Sequence, residues 1–243
     1  APGGGSYSFK LGNEINGSQA ERARYYVPIP TGGIYSLVYR YAVVLNDPAH
    51  TAAEQPRMTV NATDSNTGAA VPCASYTYVA SGSIPGFLTS PTSGYGSPVY
   101  YKTWTMGNMK FPGLGGHTAI IDFTTGDCGY GGHFGYGYFD MTCGLFANQI
   151  IGCASGTTVL AGPDGYSSYV WKDSATFSVT YGTSAVVVIA APTVTTTYAV
   201  LLTPYSGYGC PDTLYTRVVP STLRVNAGND TAVCNGSSVT LTS

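Results

Sequence analysis

The residues able to do chemistry gather in one stretch, TAIIDFTTGDCGYGGHFGYGYFDMTC (118–143), whose Gly-rich centre holds Asp127, Cys128 and His133. His50, His117, Asp47 and Glu54 complete the set that could serve as general bases or metal ligands. No HExxH, GxSxG or paired-carboxylate spacing organises them, and no cysteine sits in a CxxC or His-rich cluster. Neither hydrolysis nor a zinc site is therefore expected. The plain expectation for His133 is a ring hydrogen-bonded to loop backbone, and for Asp47, ahead of Pro48, an Asx-type turn. A nucleophilic cysteine lacks support too, since a thiol in an exported protein is more often bridged. Asp47, His50, Asp127, His133 and Trp104 stay as candidate binding residues, and the chain is read as non-catalytic.

The elements flanking this stretch read as strands. In 118–125, Ala119, Ile121 and Phe123 alternate with Asp122 and Thr124, the period of a half-buried strand. In the second run, Phe134, Tyr136, Tyr138 and Asp140 alternate with Gly135 and Gly137, and glycines inside a strand imply a close approach to that face. The two runs are expected to pair as one hairpin with Cys128 at its tip. The clearest strand puts Tyr35, Leu37, Tyr39, Tyr41, Val43 and Leu45 on one face and ends at Pro48, which cannot continue a ladder. Residues 57–64 and 71–80 flank SNTG as a hairpin, 81–97 form a Gly/Pro/Ser-rich loop, and 98–106, with Trp104, restart the sheet. Further on, short strands are expected at 157–161, 168–171, 177–181, 185–191, 195–203 and 214–220. Cys153, Trp171 and Cys210 follow the residue order of immunoglobulin-like sandwiches.

Bulk properties agree. Of 243 residues only 9% are charged while 44% are hydrophobic, which excludes intrinsic disorder. A net charge of −2 without any Lys/Arg run excludes nucleic acid or an anionic membrane as partner. With 32 Gly, 15 Pro and 21 Tyr, the chain reads as all-β, many short strands joined by tight turns. Six cysteines in so uncharged a chain point to an oxidising, extracytoplasmic setting. No stretch has membrane-span length, so membrane insertion is not expected, and the chain reads as a mature fragment of something longer. Three units are expected: residues 1–147, a β-sandwich; 148–224, a second sandwich; and 225–243, the start of a further repeat, because VNAGNDTAVCNGSSVTL restates IIGCASGTTVL.

Cysteine pairing follows from the expected hairpin. Its strands hold Cys128 and Cys143 beyond bridging distance, so Cys128 should pair with Cys73; in the second unit Cys153 should pair with Cys210, as a clip from the first strand to the last hairpin. Cys234 then awaits a partner outside the chain, and Cys143 is left free or buried.

LGNE with QAER (11–14, 19–22), YAVVLNDPAH with EQPR (41–50, 54–57) and FTTGDCGYGGHFGYGYFD (123–140) resemble the module of large surface proteins exported by the type IX pathway of gliding bacteria. PDGYSSYVW, PTVTTTYAV and VNAGNDTAVC look like the immunoglobulin-like or PKD-like repeats that follow such modules. The resemblance implies a jelly-roll-like sandwich followed by Ig-like repeats, in an adhesin or a filament subunit of hook-like appendages at the cell surface. It implies O-glycosylation at Ser174, Thr213 and Thr231, each after an Asp; the first unit also looks like the jelly rolls of carbohydrate-binding modules, which implies calcium held by Glu21 and Asp140 with Asn13 or Glu14. Implied partners are copies of the chain, neighbouring repeats, and glycans or other structures on prey or host surfaces. For glycans, Tyr95, Tyr100, Tyr101, Trp104 and Tyr130 are the stacking candidates.

Overall fold

A computed structural model describes residues 6–32, 35–143, 147–153 and 156–221. The chain is all-β, with several antiparallel sheets consistent with β-sandwich domains and no helix among the described residues. Nine strands precede residue 144: β1 (Phe9–Leu11), β2 (Ala20–Pro28), β3 (Ser36–Asn46), β4 (Arg57–Asp64), β5 (Tyr76–Val79), β6 (Leu88–Thr89), β7 (Val99–Lys110), β8 (Thr118–Gly126) and β9 (Gly135–Cys143). They form two sheets, in the orders β1-β9-β3-β7-β6 and β2-β8-β4-β5.

Alternation decides which face of each strand is buried. β8 buries Ala119, Ile121, Phe123 and Thr125, and β3 buries Leu37, Tyr39, Tyr41, Val43 and Leu45. Phe123 and Phe139 stack between the sheets with ring centroids 4.5 Å apart. Buried tyrosines remain satisfied by pairing hydroxyls, Tyr41 with Tyr78 at 2.7 Å and Tyr76 with Tyr39 at 2.9 Å.

The hairpin expected from β8 and β9 does not form. β8 pairs with β2 and β4, whereas β9 pairs with β1 and β3, so the two meet face to face across the core. Alternation reports a buried face; it does not say whether the neighbour lies beside the strand or opposite it. The close approach implied by the strand glycines is present. A Cβ on Gly137 would lie 2.8 Å from Met58 Sδ, and one on Gly135 would lie 2.7 Å from Gly126 O. Around SNTG, β4 and β5 pair antiparallel as expected, and buried Asp64 ties the turn through Asn66 N, Thr67 Oγ1 and His117 Nδ1.

The rest of the described chain adds β10 (Ala147–Cys153), β11 (Thr157–Ala161), β12 (Ser168–Asp173), β13 (Thr180–Gly182), β14 (Val186–Ala190), β15 (Thr196–Thr203) and β16 (Asp212–Ser221). The order β10-β16-β15-β12-β13 makes one sheet, with β10 parallel to β16, and β11 pairs with β14 in a second. Trp171 is fully buried among Leu160, Val200, Leu202 and Leu214, and its Nε1 donates to Ser184 O at 3.1 Å. Val38 and Met106 belong to this second core, because the later strands pack on the outer face of β3 and β7.

The disulfide pairing differs from expectation. Cys73 is bonded to Cys210, with Cα atoms 5.2 Å apart, which rules out both Cys73–Cys128 and Cys153–Cys210. Cys128 is a buried free thiol. The physical reason is position along β4. Cys128 follows Gly126, which is opposite Arg57, whereas Ser75, near Cys73, bonds Ala62, five residues or roughly 17 Å further along. Thr231, Cys234 and the further repeat at 225–243 lie outside the described residues, as do the side chains of Cys143 and Cys153.

Candidate functional site

Four connections meet at one end of the first pair of sheets: residues 12–19, 47–56, 90–98 and 127–134. Asn46, fully buried, anchors them, its Nδ2 lying 2.9, 3.2 and 3.0 Å from the carbonyls of Gly94, Ser97 and Pro98. Its backbone N donates to Phe134 O, and Gly129 N donates to Glu54 O. Loops held by a sheet scaffold in this way are where binding groups are usually displayed.

Asp47 forms the expected Asx-type turn, its Oδ1 accepting from Ala49 N at 2.8 Å, and it also accepts from Gln55 Nε2 at 2.7 Å. Pro48 and Ala49 turn the chain sharply, Ala49 taking a left-handed φ of 58° that sets the direction of His50. Asp127 is built into the loop base: its Oδ1 accepts from Gly135 N at 3.0 Å and its Oδ2 from Gln19 N at 3.3 Å. Burial pushes its carboxyl above the ordinary value against those two bonds.

His133 lies at the centre. Its ring bonds side chains rather than the loop backbone expected for it: Nε2 lies 3.2 Å from Ser97 Oγ and Nδ1 3.5 Å from Cys128 Sγ. Gly132 N–H points at the same sulfur at 3.2 Å. The His50 ring stands edge-on to His133 at 5.5 Å and to Tyr130 at 5.0 Å. Tyr130 donates to Glu54 Oε1 at 2.6 Å, and this bond with that of Thr51 Oγ1 holds the Glu54 carboxyl below its ordinary value. Burial lowers the His133 pKa, proximity to His50 lowers it further, and Asp47 opposes both. The ring is therefore biased towards the neutral form, the form that ligates metals.

The structure thus brings Asp47, His50, Glu54 and His133 to one loop cluster and adds Cys128, which the sequence reading assigned to a disulfide. A thiol beside an imidazole is also the arrangement of a cysteine nucleophile. Cys128 is 0% exposed, however, whereas reactive cysteines are at least partly accessible. His117 is elsewhere, tied to Asp64.

The other candidate residues lie apart. Glu21 Oε2 accepts from Gly12 N at 2.9 Å, and Gly12 abuts Gly135; Asp140 is five residues further along β9, roughly 17 Å away. Asn13 spends its side chain on Ile15 N and Gln19 Oε1. The implied calcium ligands are therefore not brought together. Trp104 sits at a β-bulge opposite Ala42 and lines a cleft of about 660 Å³ with Arg40, Asn148, Gln149 and Asp164. Ser174 Oγ donates to Thr197 O, and Thr213 follows Asp212, which binds Lys110 and Asn108. No protein-family model matches the chain, and no curated protein matches it either.

Proposed function

We propose that this chain is a non-catalytic structural and adhesive module of a large secreted surface protein, acting outside the cell in a filament or appendage that attaches to other surfaces. The observation that carries the reading is the junction between the two groups of sheets. Cys73–Cys210 bonds them covalently, Tyr78 stacks on Tyr208 at 4.5 Å, and Asn108 and Lys110 both bind Asp212. A junction that is cross-linked and packed passes tension from one unit to the next, which suits a segment of an extended strand. The disulfide also suits an oxidising compartment.

A jelly-roll-like first unit is supported by the strand orders β1-β9-β3-β7 and β2-β8-β4-β5, in which consecutive strands alternate between facing sheets in the first half of the unit. An immunoglobulin-like second unit is supported by the buried Trp171 between two sheets. A carbohydrate-binding adhesin is the second reading. It is favoured by the Trp104 cleft, where an aromatic ring adjoins amides, a carboxylate and the unpartnered Asn148 Oδ1.

Sedimentation and imaging of the full-length secreted protein over a range of concentrations, beside a glycan array, separate the two. Concentration-dependent lateral assembly supports the filament reading, and Val159→Lys with Val188→Lys, on the exposed face of β11 and β14, should weaken that assembly. Dispersed single chains at every concentration, with glycan binding abolished by Trp104→Ala, would transfer the assignment to the lectin-like reading.

A further inference from the structure

His50, Cys128 and His133 each offer one donor atom within 4.8 Å of the other two, and among the described residues no other His/Cys/Asp/Glu group of three or more does so. We propose that these three side chains form a His2Cys site for a borderline-soft divalent transition metal, with Zn2+ as its ion. This inference is independent of the adhesive reading above.

One edge of the site already has the length that a tetrahedral ion requires. With metal–sulfur and metal–nitrogen bonds of about 2.3 and 2.0–2.1 Å, the S···N edge of a tetrahedron is about 3.6 Å. Cys128 Sγ and His133 Nδ1 are 3.5 Å apart. The outer groups fit as well. Ser97 Oγ lies against His133 Nε2, which leaves Nδ1 facing the sulfur, and Gly132 N–H donates to Cys128 Sγ. Metal-bound imidazoles engage their second nitrogen in this way, and thiolate ligands accept such backbone bonds.

His50 supplies the independent observation. Its Nδ1 is buried without a hydrogen-bond partner. A buried nitrogen left unsatisfied is costly, and in the proposed site this nitrogen is assigned to the metal. Two imidazoles and a thiolate select zinc or copper over calcium and magnesium, which take oxygen. Three protein ligands also leave a coordination position for water or an incoming group, as in zinc sites that are not closed by a fourth side chain.

The three donors come from two loops far apart in sequence. His50 follows β3, while Cys128 and His133 bracket the turn between β8 and β9, and the facing sheets bring these ends together. No short motif marks such a site.

The test uses the whole protein, its disulfide kept oxidised, stripped with chelator and titrated with Co2+, Zn2+ or Cu2+ alone. One equivalent of Co2+ should bind with a thiolate-to-metal charge-transfer band, Zn2+ should displace it, and melting should shift upward. Cys128→Ser should lose the band, and Cys128→Ser and His50→Gln should each weaken Zn2+ by more than about 100-fold, beyond what outer-shell changes cost. Ser97→Ala, a positioning change, should weaken it by about 10-fold while keeping the band. Copper in protein purified from its native source would uphold the site and reassign its ion. A wild-type protein that gives no thiolate band would overturn the site, whether or not the variants fold. Zn2+ binding equal in wild type, Cys128→Ser and His50→Gln would overturn it equally.

Discussion

Replacing Lys102 with methionine should make the protein more stable at neutral pH. Lys102 is 3% exposed, and its Nζ has no hydrogen-bond partner. Its surroundings are the ring faces of Tyr78 and Phe87, at 5.9 and 5.8 Å, and the backbone at Gly165, where a Cβ would lie 2.6 Å from Nζ. Burial pushes the ammonium down from 10.5 to about 8, and the Asp164 carboxylate only partly opposes this. A folded value below the unfolded one means that the charged lysine disfavours the native state. That penalty is full below pH 8 and fades as pH rises from about 8 to 10.5. The gap corresponds to a penalty on the order of 3 kcal/mol at pH 7, of which about 1 kcal/mol is recovered by pH 9. Tyrosines in the unfolded chain ionise near pH 10, above this interval. Urea unfolding of wild type and Lys102→Met at pH 7 and pH 9 reads both quantities. Wild type should gain about 1 kcal/mol between the two conditions relative to the variant, and the variant should exceed wild type at pH 7 by about 1–3 kcal/mol. A variant less stable at pH 7, or one sharing the wild-type pH slope, would show that the ammonium is solvated or paired.

Two further predictions concern the junction and the strand glycines. Cys73→Ser with Cys210→Ser opens a cross-link between residues 137 apart, so unfolding free energy should fall by about 2–5 kcal/mol in urea titrations, with the two groups of sheets no longer unfolding in one transition. An unchanged midpoint would mean that packing alone holds the junction. Gly135→Ala should cost about 1–3 kcal/mol, because the added Cβ meets Gly126 O, which is backbone and cannot turn aside. Gly132→Ala, with nothing within 4 Å of its Cβ, is the matched control and should melt within about 2 °C of wild type.

Sequence reasoning reached the elements better than their neighbours. The alternation of Ala119, Ile121 and Phe123, and of Leu37 to Leu45, identified the buried faces of β8 and β3 because that pattern is local. It misassigned β8 and β9 as partners, since two strands that bury faces against each other carry the same pattern as two that pair by their edges. The expected Cys73–Cys128 bridge came from that misassignment, since with Cys128 at a hairpin tip Cys73 was its nearest partner by strand order; Cys153–Cys210 came from treating the second unit as closed on itself, whereas Cys210 bonds the first. Val38 shows a related limit. It lies on the outward face of β3 and is buried only because strands from much later in the chain, from Ile150 onward, pack there. The loop cluster was legible in part. Asp47, His50, Glu54 and His133 were singled out by residue type, whereas Cys128, in the same loop as His133, was set aside because it was assigned to a disulfide.

The tyrosine-rich composition invites a surface that sticks to copies of itself, and the structure divides the tyrosines: Tyr26, Tyr95 and Tyr130 stay exposed while others are internal. Tyr39, Tyr41, Tyr76 and Tyr78 are spent inside the first core, where each hydroxyl answers another, and Tyr166 and Tyr208 are spent at the junction. Most free edges of the larger sheets are poor templates for another chain; the exception is β10, seven uncharged residues at the edge of its sheet. β1, β6 and β13 have only two or three residues, and β5 has four. The long edge strand β2 carries Glu21, Arg22 and Arg24 and ends in Pro28, which blunts pairing by charge and by the missing amide hydrogen. Backbone augmentation between copies is thereby disfavoured at every one of these edges except β10. A side-chain surface is offered by the two-stranded sheet of β11 and β14, whose outer face exposes Val159, Val186 and Val188 side by side. β-branched side chains on a pleated surface pack well against another such surface. Side-chain packing of this kind is weak at one contact and strong only when repeated along an array. Under the array reading proposed above, association of copies would scale with the number of modules, and this chain by itself should associate far less than an array of them.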